Sequence, residues 1–391
     1  MPKKEGKLTK KKRRLKDRIR ERQIRLQRTL EAHRLEIEKV QAEKRDKKRR
    51  FNIITLATCI FLVTITLFIC ITWQYTKPPS LAPQNQNESQ QTPQSPSNAI
   101  YIWPNSVEPK TVPITKVKDN YYRLTANVTL PIIVLRDNIV IDGAGYFLKG
   151  DGTIGSRGID ISYRRNVTVV NFKIEGFDYG VFLNSTTNAV ISHNEFANNY
   201  CGIWLTFSSQ NNITLNNISK NKMYGIWLKN AKNNLIYKNT FTCHQNYTIY
   251  LGYSSFNIIQ ANNFSENTYA IFMFSSSNNT IAQNDIVNNF EGICLLQSTQ
   301  NNVHENKIRK NNIGMDFDNS SNNTISRNNF IDNTRAVGIV NSINSWNDSS
   351  KNGNYWSDYN GADTNKDGIG DTPYVIDENN KDERPRITPY S

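Results

Sequence analysis

The sequence predicts an all-β fold, a right-handed parallel β-helix with coils of 22–23 residues, preceded by a basic helical tail and one transmembrane helix. Three observations predict the coil: a fixed short period, alternation of apolar residues inside each repeat, and an asparagine recurring at one bend. The asparagine column is Asn171, Asn194, Asn216, Asn239, Asn262, Asn284, Asn306 and Asn328, each 22 or 23 residues from the last. Self-similarity at such a period marks a solenoid. Two residues beyond each asparagine stands a large apolar residue, from Phe196 to Phe330, with Phe172 one residue early. A second column of Gly180, Gly202, Gly225, Gly292 and Gly314, replaced by Thr248 and Ala270, opens strands whose inward pairs run from Val181/Leu183 to Met315/Phe317.

A leucine-rich repeat has a similar period, but these segments are too short and too β-branched for helices. In a strand, side chains alternate between faces, so the Ile and Leu of Gly-Ile-x-Leu point one way and the residue between them the other. Three short strands per coil, stacked on the coils above and below, satisfy that pattern. The asparagine then tolerates a left-handed bend and bonds its amide to the equivalent amide one coil on.

Residues 1–50 read as a charged helical tail, with Leu15, Ile19, Leu26, Leu30, Ile37 and Val40 forming a broken heptad stripe. They hold 22 Lys+Arg against 8 Asp+Glu, the whole of the +14 net charge, since the other residues hold 26 of each. The high pI therefore reports a basic tail, and nucleic acid is not an expected partner of the β-helix. Clusters such as Lys10 to Arg14 suit lipid head groups. Residues 51–73 are an uncharged apolar run long enough to cross a bilayer of roughly 30 Å. Basic residues before it, and Trp73 and Tyr75 at its end, predict a single-pass protein with a cytoplasmic N-terminus and an extracellular β-helix. Residues 74–99 are a Pro, Gln, Asn and Ser linker with too little apolar surface to fold. Residues 100–150 read as an N-terminal cap and first coils, 151–345 as the β-helix, and 346–391 as a C-terminal cap. Outside the membrane run, Cys201, Cys243 and Cys294 fall in different columns about two coils apart, too far for a disulfide.

The links Ser277-Asn-Asn-Thr-Ile281 and Ser321-Asn-Asn-Thr-Ile325, the entry Asp137-Asn-Ile-Val-Ile-Asp-Gly-Ala-Gly-Tyr146, and the endings Gly353-Asn-Tyr-Trp-Ser-Asp-Tyr359 and Asp363-Thr-Asn-Lys-Asp-Gly-Ile-Gly-Asp-Thr-Pro-Tyr374 resemble archaeal surface proteins with NosD-type β-helix domains. The resemblance runs from about Ile100 to Asp377. It implies an exported right-handed β-helix, associated either with copper delivery or with carbohydrate binding and sugar hydrolysis.

Copper delivery requires clustered imidazole or soft ligands. Here His193, His244 and His304 share no face, and Met273 and Met315 occupy inward slots, so that reading is set aside. Carbohydrate binding has more support. The residues between the inward Ile and Leu are Phe182, Trp204, Trp227, Tyr250 and Phe272, then Cys294 and Asp316, and alternation puts this column on the outer surface. Tyr179, Tyr224, Tyr247 and Tyr269 run beside it. Flat rings suit pyranose faces, making polysaccharide or glycoprotein glycans the expected partner. The alternative is that aromatic residues simply favour strands and stack for stability. Asp316 and Asp318, two apart on one outward face and roughly 6.5–7 Å from each other by strand rise, are the candidate pair for a polysaccharide hydrolase or lyase. A purely structural cell-envelope adhesin is a further reading.

Asp363, Asn365, Asp367, Ile369 (through its carbonyl) and Asp371 follow a D-x-N-x-D-G-x-x-D spacing that suits structural Ca²⁺, although Tyr374 replaces the usual twelfth-position Glu. Sequons at Asn87, Asn127, Asn166, Asn184 and Asn347 suit glycosylation, while those within the repeat, such as Asn212 and Asn263, are attributed to the Asn-rich bend.

Overall fold

The structure, a computed structural model, describes residues 98–391. The basic tail, the apolar run and nearly all of the linker lie outside the described residues. Apolar alternation over short segments gives strands, and among the described residues the chain forms three large sheets of 12, 11 and 10 strands. One coil illustrates the rest. A six-residue strand, Cys201–Thr206, is followed by Asn212–Thr214 and then Asn217–Ser219. Each strand pairs in parallel with its equivalent in the next coil, Ile203 aligning with Ile226, Ile213 with Ile236 and Ile218 with Phe241. The three faces are called below the long-strand, second and third sheets.

In-register stacking fills the interior with equivalent side chains. Ile203, Leu205, Ile226, Leu228, Ile249 and Leu251 are fully buried, as are Met273 and Met315. Phe241 and Phe264 stack at 4.8 Å between centroids. At the N-terminal end, Val107–Glu108 pairs antiparallel with Ile100–Ile102, and Ile114–Lys118 folds antiparallel onto Tyr121–Leu124. These turns shield an otherwise open sheet end.

From Asn194 onward, the column asparagines are not where the bend is left-handed. The ladder asparagines are buried, and the left-handed position belongs to the residue before each of them: His193, Leu215, Lys238, Ala261, Gln283, Glu305 and Arg327, all with φ between 54° and 58° apart from Lys238 at 53°. The N–H and Nδ2 of Asn194 both donate to Oδ1 of Asn216, at 2.9 and 3.1 Å, and Nδ2 also donates to the Val169 carbonyl at 3.0 Å. Every polar atom of the amide is thereby used. The pattern continues through Asn239, Asn262, Asn284, Asn306 and Asn328 to Asn354. These bonds define the bend, and the residue before each rung adopts αL whatever its type, at a cost of roughly 1–2 kcal/mol. Asn171 is the exception: it takes the left-handed place at φ 59°, and the Phe172 N–H donates to Asn194 Oδ1. Two further ladders begin Asn199–Asn221 and Asn211–Asn234.

In the first of these, His244 replaces an asparagine. Its Nδ1 lies 3.1 Å from Asn267 Oδ1 and its Nε2 3.4 Å from Asn221 Nδ2. The sequons at Asn212 and Asn263 are also distinct from the ladder, since both are exposed beside buried Asn211 and Asn262.

After the last full coil, Tyr355–Trp356 joins the third sheet. Trp356 stacks on Phe330 at 4.3 Å and Tyr374 on Trp356 at 4.1 Å, extending the column of rings into the cap. Asp382 ends the main ladder, accepting from the Asn354 N–H at 2.7 Å and from Trp356 Nε1 at 2.9 Å. Burial holds its carboxyl above the usual carboxylate range despite these donors. Among the described residues, Cys201, Cys243 and Cys294 form no disulfide.

Candidate functional site

Parallel in-register pairing turns any residue repeated once per coil into a stack at about 4.8 Å. On the outer face of the long-strand sheet this produces two lanes. The first aligns Phe182, Trp204, Trp227, Tyr250, Phe272, Cys294, Asp316 and Gly338. The second aligns Tyr179, Cys201, Tyr224, Tyr247, Tyr269 and Glu291. Trp204 stacks on Trp227 at 4.6 Å, Trp227 on Tyr250 at 4.6 Å, and Tyr250 on Phe272 at 5.5 Å. The lanes meet edge to face, Tyr224 against Trp227 at 4.2 Å and Tyr179 against Trp204 at 5.0 Å. Arg157 closes the N-terminal end, 3.8 Å over the Phe182 ring and paired with Asp160 at 2.5 Å.

The direction expected of these rings holds, since they lie apart from the interior core. Their expected exposure is corrected. Trp227 is 3% and Tyr250 2% exposed, and Phe182, Tyr224, Tyr247 and Phe272 are also buried. Stacking along a lane and edge contacts across lanes withdraw much of each ring from water, so alternation fixes which way a ring points but not how far it is covered. Trp204, Tyr179 and Tyr269 are half-buried. Burial pushes the Tyr179 hydroxyl up to about 12 and the Cys201 thiol well above its usual range.

Sequence reasoning missed the rims. Tyr200 and Phe290, just before their strands, are 40% and 47% exposed, and Phe207 and Tyr253, just after theirs, are 55% and 44% exposed. Phe207 and Tyr253 hold φ of 50° and 52°, in a left-handed column shared with Ser185, Asn230 and Ser275. Bulky residues fit that conformation poorly. Half-buried Trp204 and Tyr179 form a small aromatic platform, while exposed Tyr200 and Phe207 stand at the two ends of the Cys201–Thr206 strand, with Lys229 in the coil beyond, aligned with Thr206.

At the other end, the two acids read as a candidate pair are unequally covered. Asp318 is half-buried and accepts from Asn319 Nδ2 at 2.8 Å. Asp316 is fully buried instead beside Glu291 and Cys294, with one ligand atom from each of the three residues within 4.8 Å of the others. The signal was present in the columns, where Cys294 directly precedes Asp316 and Glu291 stands in the neighbouring lane.

The Asp363 loop is a dense set of Asx turns. Asp363 accepts from the N–H groups of Asp367 and Gly368 at 3.1 and 3.0 Å, Asp367 accepts from Ile369 N–H at 2.9 Å, and Asp371 from Thr364 N–H at 2.9 Å. The Thr364 hydroxyl also donates to Asp371, whose carboxyl is held below its usual range by these bonds. Gly368 sits at φ 82°, which only glycine adopts readily.

Among solved structures, the chain is similar to a periplasmic alginate epimerase, AlgG, at 15% identity and TM-score 0.47, covering 60% of this chain and 78% of that one. It is also similar to the A-module of the Azotobacter vinelandii mannuronan C-5 epimerase AlgE6, at 13% identity and TM-score 0.42, covering 57% and 87%. A third similar structure is the DFA-IIIase of Arthrobacter chlorophenolicus A6 in complex with DFA-III, at 14% identity and TM-score 0.42, covering 50% and 56%. No curated protein matches the sequence. The family model described as right handed beta helix region matches residues 157–308, and this stretch of the chain is a right-handed β-helix.

Proposed function

We propose that this chain is a membrane-anchored protein, cytoplasmic at its N-terminus, whose extracellular β-helix binds polysaccharide or glycoprotein glycans on the outer face of the long-strand sheet. One observation carries the binding proposal: the half-buried Trp204 and Tyr179 platform, flanked along its strand by exposed Tyr200 and Phe207 and built on a floor of stacked rings. Rings presented by a packed sheet lose little conformational entropy on binding, and their apolar faces match the C–H faces of pyranoses. Exposed aromatic patches of this kind mark interaction sites. The uncharged run of residues 51–73 and the basic residues before it support the anchoring.

Glycan-array binding by the full chain, compared with Trp204→Ala, tests the proposal. Selective binding lost in the variant supports it; equal binding by both, or none by either, removes it. A second reading, polysaccharide hydrolysis or lyase chemistry, is favoured by the nearness of Glu291 to Asp316. Product release from a polysaccharide that vanishes in Asp316→Asn would establish it. Structural Ca²⁺ at the Asp363 loop is proposed on the ligand spacing and the left-handed Gly368.

A further inference from the structure

We propose that Glu291, Cys294 and Asp316 form a binding site for a borderline-soft divalent cation of the zinc class. Glu291 and Cys294 belong to one strand, Glu291–Leu296, and Asp316 lies directly beside Cys294 in the next coil. All three are buried, and a carboxylate oxygen from each acid and the thiol sulfur lie within 4.8 Å of one another. Two carboxylates and a thiol so close, and so far from water, repel one another once ionised. Buried charges persist where they are paired or hold a metal. The donor set selects the ion: Ca²⁺ and Mg²⁺ take oxygen ligands, whereas thiolate with carboxylate suits Zn²⁺ and its neighbours. Three protein ligands leave a fourth tetrahedral position open.

The next rung supplies a separate observation. Gly338 follows Asp316 in the lane, and a Cβ there would stand 2.2 Å from Asp316 Oδ1. The carboxylate occupies the space that any side chain at 338 would fill, so this glycine keeps Asp316 turned as it is. The Arg335 guanidinium carbon would be 3.4 Å from the same Cβ, which makes arginine the competing counter-ion for Asp316. Hard cations at the Asp363 loop are a different chemistry on oxygen ligands alone.

The test uses the full chain prepared metal-free and titrated with Co²⁺, then Zn²⁺. The expected result is one equivalent of Co²⁺ showing a thiolate-to-cobalt charge-transfer band, displaced by Zn²⁺ and not by excess Ca²⁺. Cys294→Ser removes the band, Cys243→Ser keeps it, and Glu291→Gln or Asp316→Asn weakens binding at least tenfold. Gly338→Ala, which removes no ligand, weakens it by about tenfold, as changes around metal ligands do. Should Cys294→Ser lose its β-sheet circular dichroism, Asp316→Asn with a wild-type spectrum decides. No stoichiometric band in the wild type, a band surviving Cys294→Ser, or a band lost with Cys243→Ser overturns the proposal. So does a wild type that binds no cation while Arg335→Gln lowers its melting temperature, because the guanidinium is then the counter-ion.

Discussion

Replacing His244 by asparagine should remove an acid-sensitive step from the stability of the coil. His244 sits in a ladder otherwise made of asparagine amides, neutral, with Nδ1–H directed at Asn267 Oδ1 and Nε2 directed at the Asn221 amide. Protonating Nε2 would set a donor against a donor. Burial, only partly opposed by the bond to Asn267, lowers its pKa from 6.5 to about 4. The unfolded chain therefore takes up a proton near pH 6.5 while the folded chain refuses it until about pH 4. Across that window the unfolded state binds more protons, so stability is complete above pH 6.5 and falls as pH drops toward 4. At 1.36 kcal/mol per pKa unit the loss approaches about 3 kcal/mol. Urea unfolding of wild type and His244→Asn at pH 7.5 and at pH 4.5 measures it as a difference, which cancels the carboxylates common to both. The expected outcome is a gap that opens in favour of the variant on acidification. Parallel loss of stability in the two proteins would refute the reasoning.

Three other substitutions or additions follow from the same geometry. Phe207→Asn replaces a bulky αL residue by one that tolerates the conformation, so it should stabilise by about 1 kcal/mol in thermal unfolding while weakening glycan binding. Asp382→Ala leaves the buried Asn354 N–H and Trp356 Nε1–H without their acceptor, and chemical denaturation should show a loss of roughly 2–5 kcal/mol. Asp382→Asn, which retains an acceptor oxygen, should lose clearly less. Millimolar Ca²⁺ should raise the melting temperature of the wild type, and chelator should lower it, with Asp363→Ala/Asp367→Ala indifferent to both; an unchanged wild type counts against calcium at that loop.

The period, the three strands per coil and the inward residues could be read directly, because a buried position constrains residue type once per turn and the constraint repeats. The bend was harder. From Asn194 onward the column asparagines stand beside the left-handed position without occupying it, and Leu215, Lys238 and Glu305 carry φ near 55° with no signal of their own, since ladder hydrogen bonds impose it from the next residue. The orientation of Trp227 and Tyr250 was legible from alternation, but their coverage depends on neighbours in three dimensions. Cys294 and Asp316 share a sequence column, and Glu291 lies one coil from Asp316, but how closely the three side chains approach depends on packing between the two lanes. His244 is equally silent as a lone histidine and informative only as a rung.

The aromatic face is tested most directly by hydroxyl-radical footprinting of the full chain with and without a bound oligosaccharide found on the array. Protection is expected at Tyr200, Trp204 and Phe207, with Leu215 and Ile258, exposed on other parts of the coil, unchanged. Protection at Leu215 and Ile258 with the Trp204 platform unaltered would contradict the glycan-binding proposal.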